Sequence, residues 1–414
     1  MSLVNLETSA ALSLLNAKAV RERAHRLLGI GLEHGLASFR IELDRMDDAV
    51  ELVLDITRKT YPSLEVPFHS RWRHFVNGSD DRWADIAART PWPDRAARAR
   101  AEFDLAMVSV FLDAGAGPSW RYHDAKSGAA IGRSEGLALA SLAMFERGAF
   151  SADPRDPLRA DAEVLANFSV DELARDLQVR DANPLLGLDG RAKLLRRLGA
   201  LLAAEPELFG SLDTPRPGGL FDRLALLACD DKLAAPTILS ELLQQLGPIW
   251  PSRLTLGGIA LGDCWQHPAL ITADATSGLM PLHKLSQWLA YSLIEPLQTA
   301  GIAVTDIDGL TGLAEYRNGG LFVDTGVLAF RDAEDAVRAH EVGSELVVEW
   351  RALTVALLDV LAERLRRRLE CDASALPLAK ILQGGTWAAG RSAAAARRAD
   401  ASPPVKVISD GTVF

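Results

Sequence analysis

Alanine and leucine recurring at intervals of three and four constrain this chain more than any other feature. Side chains at those intervals fall on one face of an α-helix. The pattern predicts helices over 8–31, 44–59 and about 94–112, several more within 161–250, one starting near Leu282, and a long amphipathic one over 334–370. Breaks fall at Pro184, at Pro206 and in the TPRPGG segment at 214–219. Short strands are expected at 320–330 and 404–408, and Trp120 to Arg133 reads as a loop or short extended piece. The predicted fold class is mainly α: a single large helical domain over 1–414 with a few short strands or hairpins. A subdivision, if present, falls at the Asp/Pro-rich linker 151–160.

Composition narrows the function. A chain of 414 residues with 48% hydrophobic content can bury a large core. A net charge of −10 argues against nucleic-acid binding, which needs basic surface to neutralise phosphates. Three distant cysteines, Cys229, Cys264 and Cys371, offer neither a disulfide framework nor zinc-ligand spacing. The start MSLVNLETSAALSLL lacks the basic and continuously apolar parts of a signal peptide, and no run reaches the ~18 apolar residues of a membrane span. A cytoplasmic, membrane-free protein is expected. GxGxxG, Walker A, GxSxG and HExxH patterns are missing, so no cofactor or metal is expected. In LGDCWQHPAL, Cys264 and His267 lie close together without a second pair to complete a metal site.

Polar residues in apolar surroundings mark the candidate site. On the helix near Leu282, one stripe is Leu282, Leu285, Leu289 and Leu293; beside it run His283, Lys284, Gln287 and Tyr291, bordered by Trp288. Burying such groups costs free energy unless they find partners, so the second stripe reads as a half-buried polar pocket. Glu315-Tyr316-Arg317-Asn318 stands at a break before a Gly-Gly pair. Lys284 with Glu315 is either a catalytic carboxylate held ionised by a lysine or a structural ion pair. Asp113 lies at a helix C-terminal end, where the macrodipole disfavours an anion, so it is paired, functional or exposed. Trp120 stacks on a ligand or fills core. Arg121, Lys126 and Arg133 precede a helix whose N-cap reads as Ser134, with Glu135 in its first turn, and such a terminus suits a phosphate. Arg71, Trp72, Arg73 and His74 form a basic-aromatic cluster in a non-helical stretch. His69, His74, His267 and His283 each have an ordinary reading as core histidines. The end SDGTVF carries apolar residues after a turn and is expected to dock, either near the site or for stability alone.

The blocks FHSRWRHF, SVFLDAGAGPSWRY, RSEGLALASLAMFERGAFS, LGDCWQHP, PLHKLSQWLAYSLIEPL, GLAEYRNGGLFVDTGVL, GGTWAAGR and SDGTVF resemble the uracil-catabolism family of the URC/Urg route, in its fourth-named component. The resemblance runs from about residue 5 to Phe414. A more distant likeness links Lys284 with Gln287, Glu315-Tyr316-Arg317, and Asp113 to queuosine-nucleotide salvage hydrolases, which cut a base from ribose 5-phosphate. This chain differs there in having Glu at 315 and Asn-Gly where that group has Val-Pro.

Together these likenesses imply an N-ribosyl hydrolase acting on a ribosylurea 5-phosphate. Glu315, Asp113 and Lys284 are its catalytic candidates. Arg71, His74, Trp120, Arg121, Arg133, Ser134, Glu135, His283, Gln287, Tyr316, Arg317, Asp324 and Asp410 are its substrate-binding candidates. His283 or Tyr316 is the expected acid for the leaving nitrogen, and Arg121, Arg133 or Arg317 the expected phosphate ligand. The partners implied are the small-molecule substrate and the ring-opening enzyme of the same pathway. An amidohydrolase acting on a ureido intermediate and a non-catalytic helical partner remain as alternatives.

Overall fold

The computed structural model describes residues 3–113, 115–209, 214–250 and 254–408. Helices dominate: α1 (Leu3–Ser13), α2 (Ala17–Leu32), α3 (Met46–Thr60), α4 (Arg82–Arg89), α5 (Arg95–Phe111), α6 (Arg133–Glu146), α7 (Ala162–Ala166), α8 (Val170–Asp176), α9 (Leu188–Ala204) and α10 (Gly219–Leu227). They continue as α11 (Ala235–Gln245), α12 (Lys284–Ala300), α13 (Tyr316–Asp324), α14 (Glu345–Arg368), α15 (Leu378–Ile381) and α16 (Trp387–Arg397). Strands among the described residues form two-stranded pairs only. Residues 39–41 lie antiparallel to 328–330, and 264–266 to 279–281. Residues 303–305 run parallel to 232–234, and 339–341 to 406–408. The mainly-α expectation holds; strands occur at 328–330 and 406–408, but residues 320–324 of the expected strand 320–330 belong to α13.

Two predicted helices need correction. The one over 8–31 is two helices, because Asn16 leaves helical geometry and its side chain accepts from Ala19 N at 2.9 Å, capping α2. The one over 334–370 begins only at Glu345, behind the Ser344 cap. Before it, residues 339–341 are drawn into strand pairing with the chain's later segment. Leu346 to Leu358 are buried on every side, so α14 is a core helix rather than an amphipathic one.

One apolar cluster runs from Leu15 to Val405. Within it α14 packs on α2 and α3, α12 on α5 and α11, and α13 on α14 and α16. Gly390 lets α16 approach the Arg317 carbonyl so closely that a Cβ there would collide with it.

A proline positions the basic-aromatic cluster. Pro296 lies inside α12 and has no N–H to give the Ser292 carbonyl. Trp72 Nε1 takes that acceptor at 2.7 Å. The Ser292 hydroxyl accepts from Arg71 N at 2.9 Å. The 3-10 turn Arg71–Phe75 is thereby docked on the opened helix.

Candidate active site

Three helices and this turn meet around Asp113. Its N–H still donates to Val110 O at 3.0 Å, which leaves its carboxylate just past the end of α5. Arg71, fully buried, meets it with Nη1 at 2.9 Å. The Ser134 hydroxyl donates to the same carboxylate at 2.6–2.7 Å. His74 Nδ1 lies 3.2 Å from both Arg71 Nη1 and Ser134 Oγ. Arg71 Nε donates to Ser109 at 2.7 Å, and Ser109 is bonded to Ser141 at 2.6 Å. Burial alone raises the Asp113 pKa, but the Arg71 charge and the Ser134 hydroxyl outweigh it and hold the group below the usual aspartate range. Burial, then the Arg71 charge, pushes His74 down to about 3, so its ring is neutral.

Ser134 is not the cap predicted for α6. Gly132 occupies that position without a side-chain cap, Arg133 follows at φ 57, and Ser134 turns its hydroxyl to Asp113 instead. Glu135 beside it is half-buried, within the field of Arg71.

Lys284 opens α12 and Glu315 precedes α13. Both Glu315 oxygens accept from backbone: Arg317 N at 2.8 Å and Asn318 N at 2.5 Å. Glu315 is therefore an N-cap as well as a buried charge. Burial raises its pKa, against the pull of the Arg317 N–H and Lys284. Burial lowers the Lys284 pKa, and the opposing charges are Glu315 first and Asp113 second. Lys284 thus lies in the field of both carboxylates named by the sequence.

The structure distributes the remaining candidates as follows. Tyr316 is half-buried, its phenol pushed up by burial and by Glu315, with Arg133 near enough to act on it. Arg133 itself is exposed. Trp120 is core, donating from Nε1 to Leu177 O at 2.8 Å. Arg121 spends Nη1 on the Pro118 and Trp120 carbonyls, at 2.8 and 2.7 Å. His283 is buried against the turn between α1 and α2, with Nε2 3.0 Å from Leu14 O. Gln287 is committed to Thr311, whose N–H reaches Oε1 at 3.2 Å and whose hydroxyl takes Nε2. It braces the segment leading to Glu315. Arg317 sits over the Tyr316 ring at 5.0 Å and donates to Ala401 O at 2.9 Å. Asp410 and the rest of the tail beyond residue 408 lie outside the described residues.

Asp324 is the clearest departure from the expected substrate-binding set. It is buried and bridged to Arg398 by two bonds of 2.8 and 2.5 Å, joining α13 to α16. Asp324→Ala is expected to cost about 1–3 kcal/mol, through the lost charge-assisted bonds, while kcat/KM stays at the native value. Chemical denaturation alongside an activity assay checks both halves.

Sequence reading missed Asp263 and Arg351. Arg351 meets Asp263 with two bonds of 2.8 Å, and Trp265 Nε1 donates to the same carboxylate at 2.6 Å. An arginine inside the apolar run VVEWRALTV was the available signal. His267, Glu345 and Glu349 bring ligand-type atoms within 4.8 Å of one another. Nδ1 of His267 accepts from Ala269 N at 3.3 Å, which puts the ring proton on Nε2, 3.6 Å from Glu349. No helix among the described residues is long and apolar enough to cross a membrane.

The chain matches the model of a family described as a protein of unknown function, DUF1688, over residues 13–414. It is 37% identical over 419 residues to Protein urg3 of Schizosaccharomyces pombe, spanning 99% of this chain and 100% of that one. It is 36% identical over 410 residues to Uracil catabolism protein 4 of Lachancea kluyveri, spanning 91% and 92%.

Proposed function

The chain belongs to the DUF1688 family, and on that premise we propose that it is an N-ribosyl hydrolase of uracil catabolism, cleaving a ribosylurea 5-phosphate-like nucleotide to urea and ribose 5-phosphate. The names of its relatives support the pathway. The reading rests on half-buried Lys284 at the start of α12, within reach of the Glu315 and Asp113 charges.

Breaking the bond to the anomeric carbon develops positive charge on the sugar, as in other glycosyl hydrolyses. A carboxylate facing that charge stabilises the transition state more than the ground state. Asp113, held ionised by Arg71 and Ser134, suits that constant negative charge. Glu315, whose pKa burial raises, suits proton uptake from the attacking water. Water supplies the oxygen that bonds to the anomeric carbon, and the leaving nitrogen gains a proton. We assign that proton to Tyr316, a phenol that burial and Glu315 keep neutral. Arg133 at the start of α6 is the phosphate ligand favoured by its exposure and by the helix terminus.

Product identity tests this reading. Purified protein given ribosylurea 5-phosphate is expected to release urea and ribose 5-phosphate in equal amounts. Ammonia without sugar phosphate means an amidohydrolase; an intact substrate means a partner protein.

The pH profile follows from the pKa directions. Activity requires ionised Glu315, so it is lost as pH falls through a value above the ordinary glutamate range. It requires protonated Lys284, so it is lost as pH rises through a value below the ordinary lysine range. A bell narrower on both sides than free Glu and Lys would give is expected in kcat/KM; a flat profile across that interval contradicts the pairing.

A further inference from the structure

We propose that Asp263 is the positioning residue that aims Lys284, an inference that rests on the hydrolase reading of the site. The first turn of a helix leaves backbone N–H groups without partners, and an N-cap side chain normally takes one of them. At α12 that position belongs to His283, which stands at φ 48 and gives no side-chain cap. Its ring is turned away to Leu14.

Asp263 replaces the missing cap from a distant part of the sequence. Its carboxylate accepts from Lys284 N at 3.0 Å. Its carbonyl accepts from Leu282 N at 2.9 Å and His283 N at 3.1 Å. One residue thus holds the three consecutive N–H groups that carry the chain into the helix. Asp263 is in turn fixed by two 2.8 Å bonds from Arg351 and one of 2.6 Å from Trp265. Arg351 also reaches Ala314 O at 3.3 Å, immediately before Glu315. The Asp263–Arg351 pair therefore ties the backbone of Lys284 to the backbone of Glu315. No direct side-chain bond between the two catalytic groups is needed to keep them in register.

The charged groups acting on Lys284 are Glu315 and Asp113, followed by Arg351 and Asp263. Asp263→Asn keeps an oxygen for the Lys284 N–H and removes one of the negative charges that hold the Lys284 proton. Lys284 should then lose its proton at lower pH. The readout is the acylation rate of Lys284 against pH, followed by peptide mass spectrometry without substrate. The midpoint is expected to move down in Asp263→Asn, and kcat/KM to fall at least tenfold.

Asp263→Glu keeps the charge and the Arg351 partner but shifts the carboxylate by a methylene. It is expected to retain the native Lys284 midpoint while still losing kcat, and it covers the case in which Asp263→Asn does not fold. An unchanged Lys284 midpoint in folded Asp263→Asn, or native kcat in Asp263→Glu, overturns the proposal. Because the acylation midpoint is measured without turnover, a shifted midpoint in a protein that never releases urea keeps the positioning role and overturns only the hydrolase reading.

Discussion

Glu315→Gln is expected to fold, to bind substrate and to lose roughly 10²–10³-fold in turnover, the scale seen when one preorganised charge-stabilising group is removed. The amide retains one oxygen for the Arg317 and Asn318 N–H groups, both of which the carboxylate now serves. The weakened cap costs about 1 kcal/mol, well within the stability of a folded domain. The change in charge matters more. Lys284 loses the largest of the charges that oppose its desolvation, so its pKa falls further and the alkaline limb of any residual activity moves to lower pH. Steady-state kinetics with a thermal melt separate the two consequences. Near-native turnover in a folded variant removes Glu315 from the reaction.

The second large effect falls on stability. Arg71 is wholly buried and bonds to Asp113, Ser109 and Ser134. Arg71→Met leaves Asp113 as a buried carboxylate without its guanidinium, and breaking a buried pair from one side costs about 3–5 kcal/mol. The pH dependence has a definite sign. In the native protein the Asp113 pKa is depressed, so its contribution is present above the unfolded aspartate value and lost as pH falls. In the variant, burial remains and the main opposing charge is gone, so the folded pKa rises above the unfolded one. The deficit is then largest at neutral pH and shrinks as the solution is acidified and Asp113 takes up its proton. Urea denaturation at neutral and mildly acidic pH measures it. An equal deficit at both means that lost packing, not the orphaned carboxylate, is responsible.

Most of the helical plan was legible because Ala/Leu periodicity and capping residues act locally. Asp94 caps α5 where a helix over about 94–112 was expected. Strand pairing was less legible: the parallel pair 339–341 with 406–408 joins segments that carry no local sign of each other, and it consumed the start of a predicted helix. The site followed the same division. Lys284, Glu315, Asp113, Arg71 and His74 were visible as polar or charged residues in apolar or broken surroundings, where burial must be compensated. What the sequence could not give is direction. Gln287 shares a helical stripe with Lys284 yet spends its amide on Thr311. His283 leaves the helix at positive φ and faces Leu14 in the turn between α1 and α2. Asp324 belongs to Arg398, and Asp263 to Lys284 and Arg351, through bonds that only the folded chain brings within reach. The resemblance to a uracil-catabolism family, by contrast, was carried by long blocks, and relatives matching nearly the full chain agree with it.

The central claim is that the bond broken is the one at the anomeric carbon. Competitive kcat/KM with ribosylurea 5-phosphate carrying deuterium or hydrogen on that carbon tests it most directly. An oxocarbenium-like transition state loosens the carbon–hydrogen bending motion, so the hydrogen form is expected to react faster. Identical rates for the two forms, with chemistry limiting, place the reacting bond elsewhere in the molecule and contradict the account.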